Sequence, residues 1–318
     1  MITIYLDQNH WINLYKILTG KSQSKVDSKI ITRARTLLVS EVVCFPISFQ
    51  NIVELARVGN QRKRTGLAQF MVEFSAGFVV PSPTIVVDSW FKYSIQALLG
   101  LVPNPRPGFV PTKGLFNAFH PEAREELRRM SARSKLPLEH IDYFPEVWIS
   151  FLSFDDETNR RRAIEQITAT NREHNKGMRE RRARLKDEPE EMKLRAYYAL
   201  LALDQLDRIQ SICRTIGVDY YRLMHCGHEK ATRLISQIPF FDVEARIHGV
   251  SEKQWDRQFE ENDWYDISAL SAAIPCCKYV FTEKYWTRLI QQTDIRETYD
   301  VGVYSNIEHL KEILDSAA

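Results

Sequence analysis

Five acidic residues of this chain stand where carboxylates can do chemistry. Asp7 closes the apolar run that opens MITIYLDQNHW, Glu54 lies within ISFQNIVELAR, Asp263 and Asp266 lie within NDWYDISALSAA, and Glu283 follows YVFT. If Asp7 and Glu283 each end a strand of one parallel sheet, both fall on the edge where open α/β sheets place ligands. Helices entering and leaving that edge can bring Glu54 and Asp266 to it, with Asp263 one turn from Asp266 on the same face. Carboxylates gathered this closely repel one another and stay ionised only with cations among them. All-oxygen donors suit Mg²⁺ or Mn²⁺ rather than Zn²⁺. Such a site activates water and stabilises an in-line displacement at a phosphodiester. Asn9 and Thr282 are placed to orient the carboxylates or a bound water. Each acid also has a plainer role when taken singly: a turn residue, a solvated helix position, a helix-start charge favoured by the macrodipole, or a partner of Lys284. Taken together these plainer roles fare worse, because Asp7 and Glu54 are embedded in apolar sequence, where an unpaired carboxylate is costly.

The elements that must position these groups follow from periodicity. Ile2, Ile4 and Leu6 read as a buried first strand. A helix is expected over about Val26 to Ser40, a strand over Val42 to Phe45, a helix over Phe49 to Val58, a helix over Thr65 to Ser75 and a third strand at Phe78 to Val80. Ser48 is a candidate N-cap, with Asn51 where a capping box would carry Glu or Gln, so the cap is expected to be partial. Alternation of strand and helix argues for a parallel sheet. From about Ser89 to Ile238 strand signals are few, and amphipathic stretches dominate: Ser89–Gly100, Pro121–Ser134, Thr158–Lys186, Glu190–Ile216 and Tyr220–Ile235. The strand–helix pattern then resumes: helix at Trp264 to Ala273, strand at Lys278 to Thr282, helix at Lys284 to Gln292, strand at Val301 to Tyr304 and a closing helix at Glu308 to Leu314. Neither end alone has strands enough for a sheet. One α/β domain formed by residues 1–88 and 240–318, interrupted by a helical insertion at 89–239, is the expectation.

With YLDQN ending the first strand, SFQNIVELA in an early helix and NDWYDISALSAAIPCCKYVFTEKYW near the C-terminus, the chain resembles the PIN-domain nucleases. The family pattern is an Asp closing strand one, commonly as D-x-N, an acid in an early helix, an Asp before a small-residue helix, then a strand ending in Thr or Ser with an acid nearby. The resemblance covers about half of the chain and implies a Rossmann-like parallel sheet flanked by helices and divalent-metal-dependent phosphodiester hydrolysis, most often of RNA, leaving a 5′-phosphate and a 3′-hydroxyl. It implies Asp7, Glu54 and Asp266 as metal ligands and catalytic acids, Glu283 or Asp263 as the fourth, and Asn9 and Thr282 as supporting residues. The fourth position carries Glu where the family carries Asp, and compact members lack so large an insertion. Two other readings stand beside the ribonuclease: a PIN-like module that binds nucleic acid or a protein without cutting, and a flap-endonuclease-like DNase, to which the pairing of Asp263 with Asp266 points.

Basic residues cluster at Arg57, Arg62, Lys63 and Arg64, and again between Arg160 and Lys186, Arg179 and Arg182 included. Interleaved Glu165, Glu173 and Glu180 allow a solvated helix face. The functional reading is phosphate contact, which positions a nucleic acid without reading its sequence. Arg57, one turn after Glu54, is the best placed of these. Trp148, Tyr197, Tyr198, Tyr220 and Tyr221 could stack on bases, though aromatics at helical spacing more often form core. His225, Cys226 and His228 with Cys213 lack the spacing of a zinc site. The chain has no G-x-G-x-x-G, P-loop or G-x-S-x-G, which disfavours dinucleotide enzymes, P-loop NTPases and α/β-hydrolases.

Composition bounds the rest. The 318 residues, 44% apolar and 26% charged, are those of a globular chain of about two domains. Such a chain buries roughly three quarters of its unfolded surface without needing disulfides or a structural metal. A net charge of +2 says nothing of a nucleic-acid partner. Five scattered cysteines fit a reducing compartment. With neither a signal peptide at the N-terminus nor an apolar window long enough to span a bilayer, a cytoplasmic protein with no membrane partner is expected. The helical insertion could serve as a clamp, a homo-oligomer interface or a platform for a protein partner.

Overall fold

Alternating apolar residues at the start of the chain form β1 (Ile2–Leu6), the first of six strands among the described residues. The others are β2 (Val43–Cys44), β3 (Phe78–Val79), β4 (Thr112–Lys113), β5 (Tyr279–Phe281) and β6 (Gly302–Tyr304). The computed structural model describes residues 1–21, 28–101, 105–122, 125, 128–129, 132, 137, 142–154, 156–225, 227–251, 253, 257, 260 and 262–317. Four strands make one sheet in the order β2-β1-β5-β6, every pairing parallel. The protein is therefore α/β. Gly302 faces Tyr279 across the ladder, where a Cβ would stand 2.7 Å from the tyrosine ring, so this position admits no side chain without displacing the ring.

Two compact units divide the chain: residues 1–82, 110–170 and 276–318 in the first, and residues 83–109 and 171–275 in the second. The division runs elsewhere than the composition shift suggests. Residues 110–170, expected in the insertion, belong to the first unit, and residues 240–275, expected in the α/β domain, belong to the second. The physical reason lies in packing. The helix Pro145–Ser153 lies against Gln61–Ser75 and Phe49–Arg57, and Arg64 donates to the carbonyls of Ser153 at 2.6 Å and Phe154 at 3.3 Å.

In the first unit the core joins β1 to the helices around it. Trp11 meets Phe45 and Phe70 edge-on, Phe70 meets Phe74, and Leu310, Ile313 and Leu314 of the last helix complete it with Ile30, Ala34 and Leu37. Helices occupy Gln8–Leu18, Lys29–Val39, Phe49–Arg57, Gln61–Ser75, Lys284–Ile290 and Glu308–Ser316. The first of these, carrying Trp11 and Leu14 into the core, goes beyond what periodicity announced. β3 is not a strand of the four-stranded sheet; it makes one parallel bridge, Val79 to Ile47 just after β2, and otherwise pairs antiparallel with β4, a two-residue strand with no apolar run to announce it.

The second unit is helical, with no strand among its described residues. Pro83–Leu98 packs on Leu206–Thr215 and His228–Ser236, and Glu190–Asp204 packs on Pro239–Ser251. Two of the expected long helices are broken. Glu190–Ile216 divides at Gln205. Tyr220–Ile235 divides near Gly227, whose φ of 87° lies outside the helical region and suits glycine. The segment expected as Pro121–Ser134 lies largely outside the described residues. Among the described residues, no helix is long and apolar enough to cross a membrane.

Candidate functional site

Sheet order marks one edge of the first unit. The chain runs from β1 outward to β2 on one side and later resumes with β5 and β6 on the other, so the order reverses at the β1–β5 pair. Beyond the carboxyl ends of such a pair, neighbouring connections diverge and leave a crevice. β1 and β5 stay in register to Leu6 and Phe281, and the Asp7 N–H donates to the Phe281 carbonyl at 2.9 Å. Asp7, Thr282 and Glu283 thus emerge side by side.

Asp7 serves as N-cap of the helix Gln8–Leu18, its carboxylate accepting from the Gln8 N–H at 2.6 Å. Burial pushes its acid up to about 6, reinforced by the charge of Glu283 and opposed by hydrogen bonds from the Gln8 N–H and the Thr282 side chain. The Asn9 amide donates to Glu283 Oε1 at 2.7 Å. His10, buried behind them, contacts the Thr282 carbonyl through Nε2 at 3.2 Å and meets the Phe281 ring edge-on. Its imidazole is pushed below the usual range by burial. Asp7, Asn9, Thr282 and Glu283, four residues singled out in the sequence, are gathered here.

The helix that carries Glu54 is tied to the end of β1 through a residue whose spacing marked it only as part of a cap. Ser48 Oγ accepts from the Asn51 N–H while the Asn51 side chain accepts from the Ser48 N–H, so the capping box is complete rather than partial. The Asn51 side-chain Nδ2 donates to the Leu6 carbonyl at 3.1 Å, tying the helix Phe49–Arg57 to the last residue of β1. Glu54, half-buried, follows Asn51 by one turn on the same side of the helix. The signal for Asn51 was present in its spacing from Ser48; its second bond depends on how strand and helix meet.

Asp263 and Asp266 belong to the second unit, in the first turn of the helix Asp263–Cys276. Asp263 is buried, and both of its oxygens accept from the Arg257 guanidinium at 2.6 and 2.7 Å. Its charge is met by a cation of the chain itself, unlike a carboxylate awaiting a metal. Asp266 is half-buried. Among the described residues, no three His, Cys, Asp or Glu side chains gather closely enough to hold a metal ion together. The acids of the first unit are a charge-coupled pair, Asp7 and Glu283, with Glu54 on the neighbouring helix.

The basic residues sort by burial. Arg64 is 1% exposed, and its guanidinium is spent on the carbonyls of Val58, Ser153 and Phe154, so it is a packing residue and not the phosphate contact expected. Arg182 is likewise buried and donates to the Arg257 carbonyl at 2.7 Å. Arg62, Lys63 and Arg179 are exposed, and Arg57 is half-buried. Trp148, Tyr197 and Tyr198 are core residues, whereas Tyr221 is exposed. Cys44, Cys213, Cys276 and Cys277 are buried thiols, with Cys276 pushed well up by burial. Cys226 lies outside the described residues.

An open cleft of about 530 Å³ borders the pair, lined by Asn9, His10, Ile12, Asn13 and Lys16 from one helix, Thr282, Glu283, Lys284 and Tyr285 after β5, and Ser305 after β6. Comparison with protein-family models, with curated proteins and with solved structures finds no match to this chain.

Proposed function

We propose that this chain is a PIN-like, metal-dependent nuclease acting on RNA. The observation that supports it best is the carboxylate pair of Asp7 and Glu283 at the reversal point of a parallel sheet, with the Asp7 acid raised by burial and by its neighbour's charge. A carboxylate whose ionised form is disfavoured by burial and by a neighbouring acid is held charged most readily by a cation beside it. The donor set is all oxygen, which fits Mg²⁺ or Mn²⁺. Asp7 and Glu283 would hold the ion, with Glu54, on the neighbouring helix of the same unit, as a further ligand. A divalent ion there would supply Lewis-acid stabilisation of charge on a phosphodiester.

The chain's own residues do the rest. Asn9 fixes one oxygen of Glu283, leaving the other for a ligand. The Gln8 N–H and the Thr282 side chain hold Asp7 in one orientation. Asn51 anchors the helix that presents Glu54. Asp263 is left out, since Arg257 already neutralises it.

The test is Mn²⁺ titration followed by cleavage of single-stranded RNA, with branched DNA in parallel. The expected result is Mn²⁺-dependent RNA cleavage in the wild type and none in Asp7→Asn, which keeps the side-chain shape but loses the charge. Wild-type activity in Asp7→Asn would overturn the reading. A non-cutting PIN-like binding module is the second reading, favoured by the lack of a three-donor cluster among the described residues. It predicts RNA binding without metal-dependent products.

A further inference from the structure

We infer that the cleft beside Asp7 and Glu283 is the track of a single-stranded phosphodiester backbone, with Lys16 and Lys284 as its phosphate-binding cations; this deepens the nuclease reading and rests on it. The track is not the arginine clusters that the sequence brings forward.

Three observations carry the inference. The helix Gln8–Leu18 places Asn9, Asn13 and Lys16 along the cleft at spacings of four and three residues, so one helix face forms its wall. Lys284 and Ser305 line it from the ends of β5 and β6. Among the described residues neither the Lys16 nor the Lys284 ammonium has a carboxylate partner, although Glu283 lines the same cleft. Cations left unpaired beside an acid pair offer their charge to a ligand and not to the fold. Asn13 and Ser305 add neutral hydrogen-bonding groups of the kind that meet phosphate and sugar oxygens. Tyr285, half-buried, offers a ring edge or face for a base.

The length of the wall argues for a chain and against a single ion. From Asn9, bonded to Glu283, to Lys16 is seven residues, about 10 Å along the helix axis. One phosphate cannot reach both ends; successive phosphates of an extended strand can.

The experiment measures binding of a single-stranded oligouridylate to the full chain carrying Asp7→Asn, in chelator, across a salt series. Adding Lys16→Gln and Lys284→Gln should lower the slope of log affinity against log salt by about 0.7 for each phosphate no longer neutralised, while Arg62→Gln with Lys63→Gln leaves it unchanged. Lys16→Glu, a charge reversal on an exposed side chain, should weaken binding further than Lys16→Gln. An unchanged slope in the double lysine variant overturns the inference, as does displacement of the oligonucleotide by uridine monophosphate or inorganic phosphate at comparable concentration, which would mark a single-phosphate site. The two readings fail separately. Loss of slope without metal-dependent cleavage in the Asp7 wild type leaves the track standing and removes the nuclease; Asp7-dependent cleavage with an unchanged slope does the reverse.

Discussion

Asp7 is both a helix cap and one half of a repelling carboxylate pair, and the two roles pull its proton affinity in opposite directions. Burial and Glu283 win, raising it from 3.8 to about 6. A folded-state acid weaker than the unfolded one binds its proton more tightly when folded, so stability is lost as pH rises from about 4 through about 6. The loss is on the order of 3 kcal/mol before the screening that its partial exposure allows. Metal-free Asp7→Asn should therefore melt a few degrees above wild type at pH 8 and lose that advantage at pH 4, as thermal unfolding with chelator present will show; Mn²⁺ should narrow the gap at pH 8 by stabilising only the wild type. Arg64 makes the opposite case, a cation whose charge serves the fold. Arg64→Met should cost on the order of 3 kcal/mol, because it strands the carbonyls of Val58, Ser153 and Phe154, yet leave the salt dependence of oligonucleotide binding unaltered. A flattened salt slope in a stably folded Arg64→Met would return that residue to the phosphate path.

The helix Phe49–Arg57 shows how a short element is fixed through its first turn. Ser48 and Asn51 cap each other, the Tyr5 hydroxyl lies 3.2 Å from Ser48 Oγ, and Asn51 reaches the Leu6 carbonyl. The helix is thereby tied to β1 one residue before Asp7. Asn51→Ala removes half of the capping box and the tether to a buried carbonyl, a cost of about 2 kcal/mol. Urea unfolding should report that loss. Under the proposed function Asn51→Ala should also weaken Mn²⁺ binding more than the reciprocal Ser48→Ala does, since Asn51 holds the main chain one residue before Asp7, whereas Ser48 reaches β1 only through the Tyr5 hydroxyl. Equal effects from the two would mean that the helix needs its cap and not its anchor.

At the scale of the whole molecule, the two units differ in how they store charge. The first keeps its acid pair at a sheet edge. The second buries His248 beside a half-buried Glu244, with His248 Nε2 4.0 Å from Glu244 Oε1 and the His248 ring stacked on Tyr197. Burial holds His248 down at about 3, helped by the charge of Arg181; burial raises Glu244 to about 7, with Arg181 opposing and Asp204 adding. Both groups are thus neutral in the folded state across mild acid. A depressed histidine costs stability as pH falls below its unfolded value of 6.5; a raised glutamate costs stability as pH rises from its unfolded value of 4.5 towards 7. Between 4.5 and 6.5 the two slopes oppose and cancel. His248→Phe removes one of them, so its stability should fall by about 1.4 kcal/mol per pH unit as pH rises through that window, where the wild-type curve is nearly flat. A parallel pair of curves in urea unfolding between pH 4.5 and 6.5 would show that the two groups do not titrate with folding.

The sequence by itself determined the α/β class, the strands that end in Asp7 and in Thr282–Glu283, and the helical character of most of the segment between them. Those are local facts: the alternation of apolar residues marks a buried strand, and the residue after its last apolar position stands at its edge. Tertiary structure decided the rest. Arg64 and Arg62 look alike in the chain, and only the arrival of Ser153 and Phe154 makes one of them a packing residue. Asp263 and Asp266 share a helix turn, and only the position of Arg257 neutralises the first. β3 has the apolar residues of a sheet strand, yet the partner that claims it, β4, is two residues of Thr and Lys. The cleft with Lys16 and Lys284 joins residues 268 positions apart. Periodicity records which face of an element is buried. It does not record what buries that face, and the partner is what turns a charged residue into a ligand, a structural tie or a site.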